Sequence, residues 1–181
     1  MWMMMAVAPA AALTVLVSRA SAATRTWIGA GGADNTFTNS ANWAGGIVPV
    51  AGDTLVFDGN LDLTANNNFV AGTQFGGIQF APTVAGPFNV TGFALNLSGS
   101  IMDETQSITN TISLNGIGLL SNTTIDVVNT GSLVISSVLS GSGGIVKTSA
   151  GTVTVTGTNT FTGPQSWCGS GCSDPRLGHH Q

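Results

Sequence analysis

The stretch that decides the fold is residues 141–163, which reads Gly-Ser-Gly-Gly-Ile-Val-Lys-Thr-Ser-Ala-Gly-Thr-Val-Thr-Val-Thr-Gly-Thr-Asn-Thr-Phe-Thr-Gly. Two runs within it, Gly144–Lys147 and Thr152–Thr156, alternate branched apolar residues with threonine or lysine. A period of two is typical of strands that bury one face. Glycines separate the runs, as tight bends between short strands require. The stretch therefore predicts one unit of a stacked β array.

The composition of the whole chain agrees with a β fold. Of its 181 residues, 43% are hydrophobic and only 7% are charged, and 25 are glycines. This apolar content argues against disorder, while the scarcity of Lys, Glu, Gln and Arg disfavours long helices. A formal net charge of −4 with only four Lys and Arg residues leaves no basic patch, which argues against nucleic acid as a partner. The expected fold class is all-β.

A loose repeat runs through the rest of the chain, as pairs of apolar residues separated by one position. The first members of these pairs are Ile78, Leu95, Ile112, Leu133 and Val153. Their nearly constant interval indicates a solenoid whose rungs stack on one another. A β-sandwich of hairpins is the alternative, but only Asp58-Gly59 and Asn115-Gly116 offer the dipeptides that two-residue hairpin turns favour. We therefore predict a parallel β-helix.

Residues 141–163 resemble the autotransporter-associated β-strand repeat, also called the passenger-associated transport repeat. That family follows the pattern Gly-Gly-Leu-x-Lys-x-Gly-x-Gly-Thr-Leu-x-Leu-x-Gly-x-Asn-x-Tyr/Phe-Thr-Gly, and this sequence departs from it chiefly at Ser149. The segment from Trp27 to Asp53 also resembles the start of such proteins. The resemblance implies a right-handed parallel β-helix in a secreted or surface passenger protein, and it supplies no catalytic residues.

Residues 1–22 predict a secretory signal peptide. An apolar run, Ala6–Val17, is followed by Ala20-Ser21-Ala22, a small-x-small site for signal peptidase. Because Met1–Met5 contains no Lys or Arg, an uncleaved anchor or a misassigned start is the alternative. The apolar run is short for a membrane span, so none is expected in the mature chain. We expect the mature protein to begin near Ala23 and to be secreted or displayed on the cell surface.

Aromatic residues are concentrated in the region that follows the predicted cleavage site. A stacked β array leaves an open apolar end at its first rung, and Trp27, Phe37 and Trp43 are suited to plug it. The alternative is a carbohydrate-binding platform in which exposed tryptophan faces stack on sugar rings. We favour an aromatic-rich N-terminal cap.

The repeat pattern breaks after Gly163, which suggests a truncated or frameshifted chain. The sequence thus divides into a signal peptide (1–22), a cap region (23–54), solenoid rungs (55–163) ending in the unit 141–163, and a disordered or artefactual tail (164–181). If the tail does not fold over the last rung, that rung is open and self-association through it is expected.

The tail contains side chains of the types that bind metals or form disulfides. Cys168, Cys172, His179 and His180 could each bind zinc, although the cysteine spacing is unusual for such a site. A Cys168–Cys172 disulfide formed after export and a tail without function are the alternatives. We predict no metal site.

Carboxylates near the start of the rungs are expected to serve turns. The series Asp58, Asn60, Asp62 places oxygen ligands at alternate positions, but a solvated turn is favoured over a calcium loop because no glycine or closing glutamate follows. Asp53 is expected to serve the Gly52-Asp53 turn that leads into the next strand.

Carboxylates farther along the chain offer little for catalysis. Asp103 and Glu104 are adjacent on a predicted strand and therefore point to opposite faces. An enzyme would require them to converge with other groups, such as Asp126, in one groove.

The sequence therefore predicts an exported structural passenger segment that is not an enzyme. The alternatives are an adhesin or glycan-binding module, which would use Trp27, Trp43 or outer Thr and Asn rows, and a β-helix carbohydrate-active enzyme. Lys147 is expected to be solvated on an outward strand face. No catalytic, cofactor-binding or metal-binding residue is predicted and no cofactor is expected. Cell-surface glycans and other copies of the chain are the candidate partners.

Overall fold

The computed structural model describes residues 22–128, 130–167 and 172–173. In this part of the chain there are seventeen short β-strands and two single-turn 3-10 segments, Ser40–Asn42 and Ala44–Gly46. None of the described helical turns is long and apolar enough to cross a membrane. The predicted all-β class is confirmed.

Three parallel sheets form the sides of a β-solenoid of about five turns. The first sheet contains, in spatial order, β1 (Thr24–Trp27), β2 (Thr54–Phe57), β5 (Gly77–Phe80), β8 (Ile101–Asp103), β11 (Thr123–Val127), β14 (Ile145–Lys147) and β16 (Gln165–Trp167). The second sheet contains β3 (Thr64–Asn67), β6 (Asn89–Gly92), β9 (Thr109–Leu114), β12 (Ser132–Ile135), β15 (Thr152–Val155) and β17 (Cys172–Ser173). The third contains β4 (Thr73–Phe75), β7 (Leu95–Leu97), β10 (Ile117–Leu119) and β13 (Leu139–Gly141).

From β2 to β15, the chain visits the first, second and third sheets in turn, so each strand pairs with the strand one rung later. Leu55 pairs with Ile78, and Ile78 pairs with Ile101. The interval between successive apolar pairs is a true rung only from Leu133 to Val153, which pair directly. The first two intervals instead compare Ile78 in the first sheet with Leu95 in the third and Ile112 in the second, and these residues do not pair. Apolar pairs recur on strands of all three sheets, so their spacing alone cannot distinguish one sheet from the next.

The core is a set of apolar rows that run along the solenoid axis. In the third sheet, for example, Leu95, Ile117 and Leu139 stand in register, and each is at most 1% exposed. Their alternate neighbours face outward, as the period of two predicts. Burying one such side chain contributes roughly 1.5–3 kcal/mol, so stability accumulates rung by rung.

The stack continues past Gly163, which the sequence predicts as the last residue of the rungs. Ile145 N donates to Pro164 O at 2.9 Å, and β16 then pairs with β14. Phe161 and Trp167 are partly buried against the core, and Val153, which pairs with Cys172 of β17, is only 1% exposed. The rest of the predicted tail, residues 168–171 and 174–181, lies outside the described residues.

Candidate functional site

The amino-terminal end is closed by an aromatic plug, which we define as Trp27, Phe37, Trp43 and Phe57. The ring centroids of Trp27 and Trp43 are 5.3 Å apart in an edge-to-face arrangement, and those of Phe37 and Trp43 are 5.5 Å apart. Both indole N–H groups are satisfied, since Trp27 Nε1 donates to Asp62 O and Trp43 Nε1 to Phe37 O. Every member of the plug is at most 1% exposed. The predicted cap is confirmed, and neither tryptophan presents a face on which a sugar could stack.

Asn42 holds the loop that places these aromatic rings, a role that the sequence pattern does not predict. Its Oδ1 accepts from Gly31 N at 2.7 Å, while its Nδ2 donates to Asp34 O at 2.7 Å and to Thr36 O at 3.1 Å. The side chain is completely buried. A buried amide that satisfies three backbone groups fixes the path of a loop that has no ladder of its own. In the sequence, the one hint of this role is that Asn42 directly precedes Trp43.

A second polar cluster, the Asp53 clamp, comprises Ala23, Arg25, Val50 and Asp53. Asp53 Oδ1 accepts from Ala23 N at 2.8 Å, and Oδ2 accepts from Arg25 Nε at 2.9 Å and Val50 N at 3.0 Å. Burial alone would raise the pKa of Asp53, but these hydrogen bonds and the Arg25 charge outweigh it and lower the pKa below 3.8. The sequence predicts only a turn at Asp53, whereas this side chain also joins β1 to β2.

A third cluster, the Asp103 network, lies inside the solenoid and comprises Asp103, Thr105 and Asn110. Asp103 Oδ1 accepts from Thr105 Oγ1 at 2.6 Å, and both carboxylate oxygens accept from Asn110 Nδ2 at 3.0–3.1 Å. Asn110 Oδ1 in turn accepts from Phe88 N at 2.9 Å. Burial raises the pKa of Asp103, and the hydrogen bonds only partly offset that effect. In the sequence, this network is indicated only by a polar residue at an inward position of a strand, such as Asn110 two positions before Ile112.

We expect the two buried aspartates to give opposite dependences of stability on pH. The fold raises the pKa of Asp103. The stability that Asp103 contributes is therefore fully present below its unfolded-state pKa, about 3.8–3.9, and is lost as pH rises through the folded-state pKa. The free energy of unfolding of Asp103→Asn should therefore rise relative to that of the wild type as pH increases. Denaturant unfolding between about pH 3 and pH 7 measures this difference.

Asp53→Asn is the matched control for this experiment. The pKa of Asp53 is lowered in the fold, so its contribution is present above the unfolded pKa and is lost as pH falls through the folded pKa. The loss of unfolding free energy caused by Asp53→Asn should therefore become smaller as pH falls. Two variants whose stability relative to the wild type changed in the same direction with pH would contradict the assignment.

The acidic residues that an enzyme would need to bring together lie on different faces. Asp103 pairs with Val127 in an inward row, whereas Asp126 pairs with Met102 in the neighbouring outward row. Glu104 Oε2 accepts from Gln79 Nε2 at 2.8 Å. The sheet thus separates Asp103 from Asp126, so these three carboxylates do not converge on one face.

The carboxylates of the calcium-like series have separate hydrogen-bond partners, and only Asp62 binds within its own turn. Asp58 Oδ1 accepts from Thr83 Oγ1, and Asp62 Oδ1 accepts from Thr64 N at 2.9 Å. Among the described residues, no cluster of three or more His, Cys, Asp or Glu side chains could hold a metal ion. Of the tail residues singled out in the sequence, Cys168, His179, His180 and the side chain of Cys172 lie outside the described part.

Lys147 is buried, and the expectation that it is solvated on an outward face is wrong. It stands in register between Ile125 and Trp167, is 0% exposed, and its Nζ donates to Ser149 O. The physical reason is the period of two: Lys147 shares a face with Ile145, which is also buried. Ser149 itself bridges two rungs, since its hydroxyl accepts from Val127 N at 2.7 Å and donates to Val127 O at 2.6 Å.

Comparisons with protein-family models, with curated proteins and with solved structures find no match. The fold and its polar clusters are therefore the basis on which a function can be proposed.

Proposed function

We propose that this chain is an exported structural segment of a bacterial surface or secreted β-solenoid protein, of the type that carries autotransporter-associated β-strand repeats. The observation that carries the proposal is the position of the repeat-like unit 141–163 in the stack. Asn159 Oδ1 accepts from Leu139 N at 2.9 Å, and Gly163 N donates to Gly143 O at 3.2 Å. The residues that match the repeat pattern thus make contacts between rungs, and a further strand, β16, follows.

The proposed action is mechanical. Each rung buries one set of inward side chains and hydrogen-bonds to the next rung, so length and stiffness grow with the number of rungs. The two buried aspartates are enclosed and hydrogen-bonded to neighbouring segments, which suits a structural role. A weakly charged, rigid stack of this kind fits a stalk or a surface layer.

Export supplies the test. Expressed from Met1 in a Gram-negative host, the chain should be recovered outside the cytoplasm without residues 1–22, because Ala20-Ser21-Ala22 is a small-x-small cleavage site. Intact-mass measurement of the fractionated protein reads the new N-terminus. The control variant Ala22→Lys should retain residues 1–22. Recovery of the wild-type chain in the cytoplasm with its initial segment intact would overturn the proposal.

Because Trp27 and Trp43 are buried, the glycan-binding alternative requires a different surface. The outward side of the second sheet carries a row in register that consists of Thr64, Asn89, Thr111, Val134 and Thr154. Neighbouring strands of a sheet are about 4.8 Å apart, so hydroxyl and amide groups follow one another along the axis, with Val134 as an apolar interruption. This row is the surface that a polysaccharide would contact if the chain acts as an adhesin.

A further inference from the structure

The Asp53 clamp contains the backbone nitrogen of the residue at which the mature chain is proposed to begin. Ala23 N donates to Asp53 Oδ1 at 2.8 Å, and Ala23 O accepts from Thr54 N at 2.8 Å. Both polar atoms of the Ala23 backbone are thus bound to β2 or to the residue just before it. The described hydrogen bonds of the clamp join Asp53 to Ala23, Arg25 and Val50.

The peptide bond that precedes this nitrogen lies at the surface. Ala22 is exposed, whereas Asp53 is 0% exposed and Ala23 is half-buried between them. The sequence Ala20-Ser21-Ala22 supplies the small residues that signal peptidases require. The site of proposed cleavage therefore coincides with the point where the chain enters the clamp.

We propose that hydrolysis of the Ala22–Ala23 bond creates an α-ammonium group that binds Asp53, so that the clamp is a binding site for the protein's own processed N-terminus. In this step a peptidase adds one water molecule across the amide bond. Ala22 leaves as a carboxylate, and Ala23 N takes up protons to become a cation. The inference rests on the proposed export, since it requires cleavage after Ala22.

Charge is what distinguishes the two states of the clamp. Before cleavage the donor to Asp53 Oδ1 is a neutral amide N–H, and afterwards it is an ammonium. Hydrogen bonds between ionised partners are roughly twice as strong as neutral ones. Arg25 is the other cation facing Asp53 in the described structure, and it binds the opposite oxygen with 23% of its side chain exposed. Each cation therefore has its own carboxylate oxygen.

The consequence is that processing stabilises the folded protein at its plugged end. The plug residue Trp27 lies on β1, which begins at Thr24, directly after Ala23. Anchoring the new N-terminus therefore also anchors the strand that carries the plug. A precursor would fold with a weaker clamp than the product does.

Two forms of residues 23–181 that differ only in charge at the N-terminus test this directly. One has a free Ala23 amine, released from a fusion partner by a protease that cuts immediately before Ala23, and the other is Nα-acetylated there. The acetylated form keeps the N–H donor and lacks the charge, as in the precursor. The free amine should raise the folding equilibrium constant about fivefold or more, since hydrogen bonds to charged groups contribute more than neutral ones. Equal stability of the two forms would overturn the inference.

The reactivity of the amine gives an independent readout. An amine-acylating reagent used near neutral pH should label Ala23 at least about tenfold more slowly in the wild type than in Asp53→Asn, because each unit of pKa difference changes the unprotonated fraction tenfold. Asp34→Asn, which removes an exposed carboxylate in the same cap, is the matched control and should label like the wild type. Free labelling of the wild-type folded protein contradicts the proposal even if Asp53→Asn fails to fold.

These outcomes separate the inference from the proposed export. If the chain expressed from Met1 is exported and begins at Ala23, but its amine labels freely, export stands and docking on Asp53 is wrong. If that chain keeps residues 1–22, whereas the amine of residues 23–181 is protected, the clamp binds an N-terminus and the export proposal fails.

Discussion

Replacing Phe37 with alanine is expected to lower the free energy of unfolding by about 3–5 kcal/mol, the usual cost of removing a fully buried aromatic side chain. Phe37 is 0% exposed, and its ring lies 5.5–6.4 Å, centroid to centroid, from four other aromatic rings. Truncation leaves a cavity in the plug, and the cap loop cannot collapse into it easily because Asn42 fixes its path. Denaturant unfolding measures the loss.

Phe93→Ala is the matched control, because it removes the same side chain from a site that is 51% exposed. Its effect should lie within about 0.5 kcal/mol of zero. Similar losses for the two variants would show that the plug does not carry the stability of the amino-terminal end.

Replacing Gly144 with alanine is expected to cost about 3 kcal/mol, at the upper end of the usual range for overpacking, and to detach β16. A Cβ at this position would collide with Pro164 O and lie 2.7 Å from Pro164 N. The obstacle is backbone, so it cannot be relieved by a side-chain rotation. The shift would also break the hydrogen bond from Ile145 N to Pro164 O and weaken the packing of Trp167 against the core.

Amide hydrogen exchange at residues 165–167, together with denaturant unfolding, tests this prediction. Gly116→Ala is the control, since a Cβ there would meet its nearest atoms at 3.6 Å, an ordinary contact, and the glycine does not have a positive φ. The control should be neutral or slightly stabilising. A Gly144→Ala protein whose residues 165–167 exchange as slowly as in the wild type would rule out the close approach as the reason for this glycine.

Much of the fold follows from local patterns that are visible in the sequence. The alternation in residues 152–155 predicts a strand with one buried face, and β15 has its buried residue Val153 on that face. The low content of helix-forming residues predicts the all-β class, and the concentration of aromatic side chains predicts the plug. Each of these predictions depends only on the composition or periodicity of one chain segment, which can be read without knowing which segments pair.

The rung length could not be obtained in the same way. Apolar pairs occur on all three sheets, so the distance between successive pairs does not show which pairs stack. The register between paired strands, as at Leu55, Ile78 and Ile101, shows which positions lie one rung apart. Pairing between strands is a long-range property, and three similar sheets make it ambiguous from one sequence.

The clusters of buried polar residues were also beyond sequence reasoning. Asp103 and Asn110 are recognisable as polar residues at inward positions, but their mutual hydrogen bonds depend on how the corner between β8 and β9 turns. The same holds for the Asp53 clamp, where Ala23 and Asp53 are 30 positions apart.

The sequence by itself determined that this protein is a stack of short strands with a plugged amino-terminal end, because period, composition and aromatic content act locally. The tertiary structure alone decided which residues share a rung, that Lys147 is enclosed, and that the stack continues through Gln165–Trp167. It also placed the nitrogen of Ala23 on the buried carboxylate of Asp53. These features arise where distant segments meet, and the free energy of such contacts depends on geometry that only the folded chain supplies.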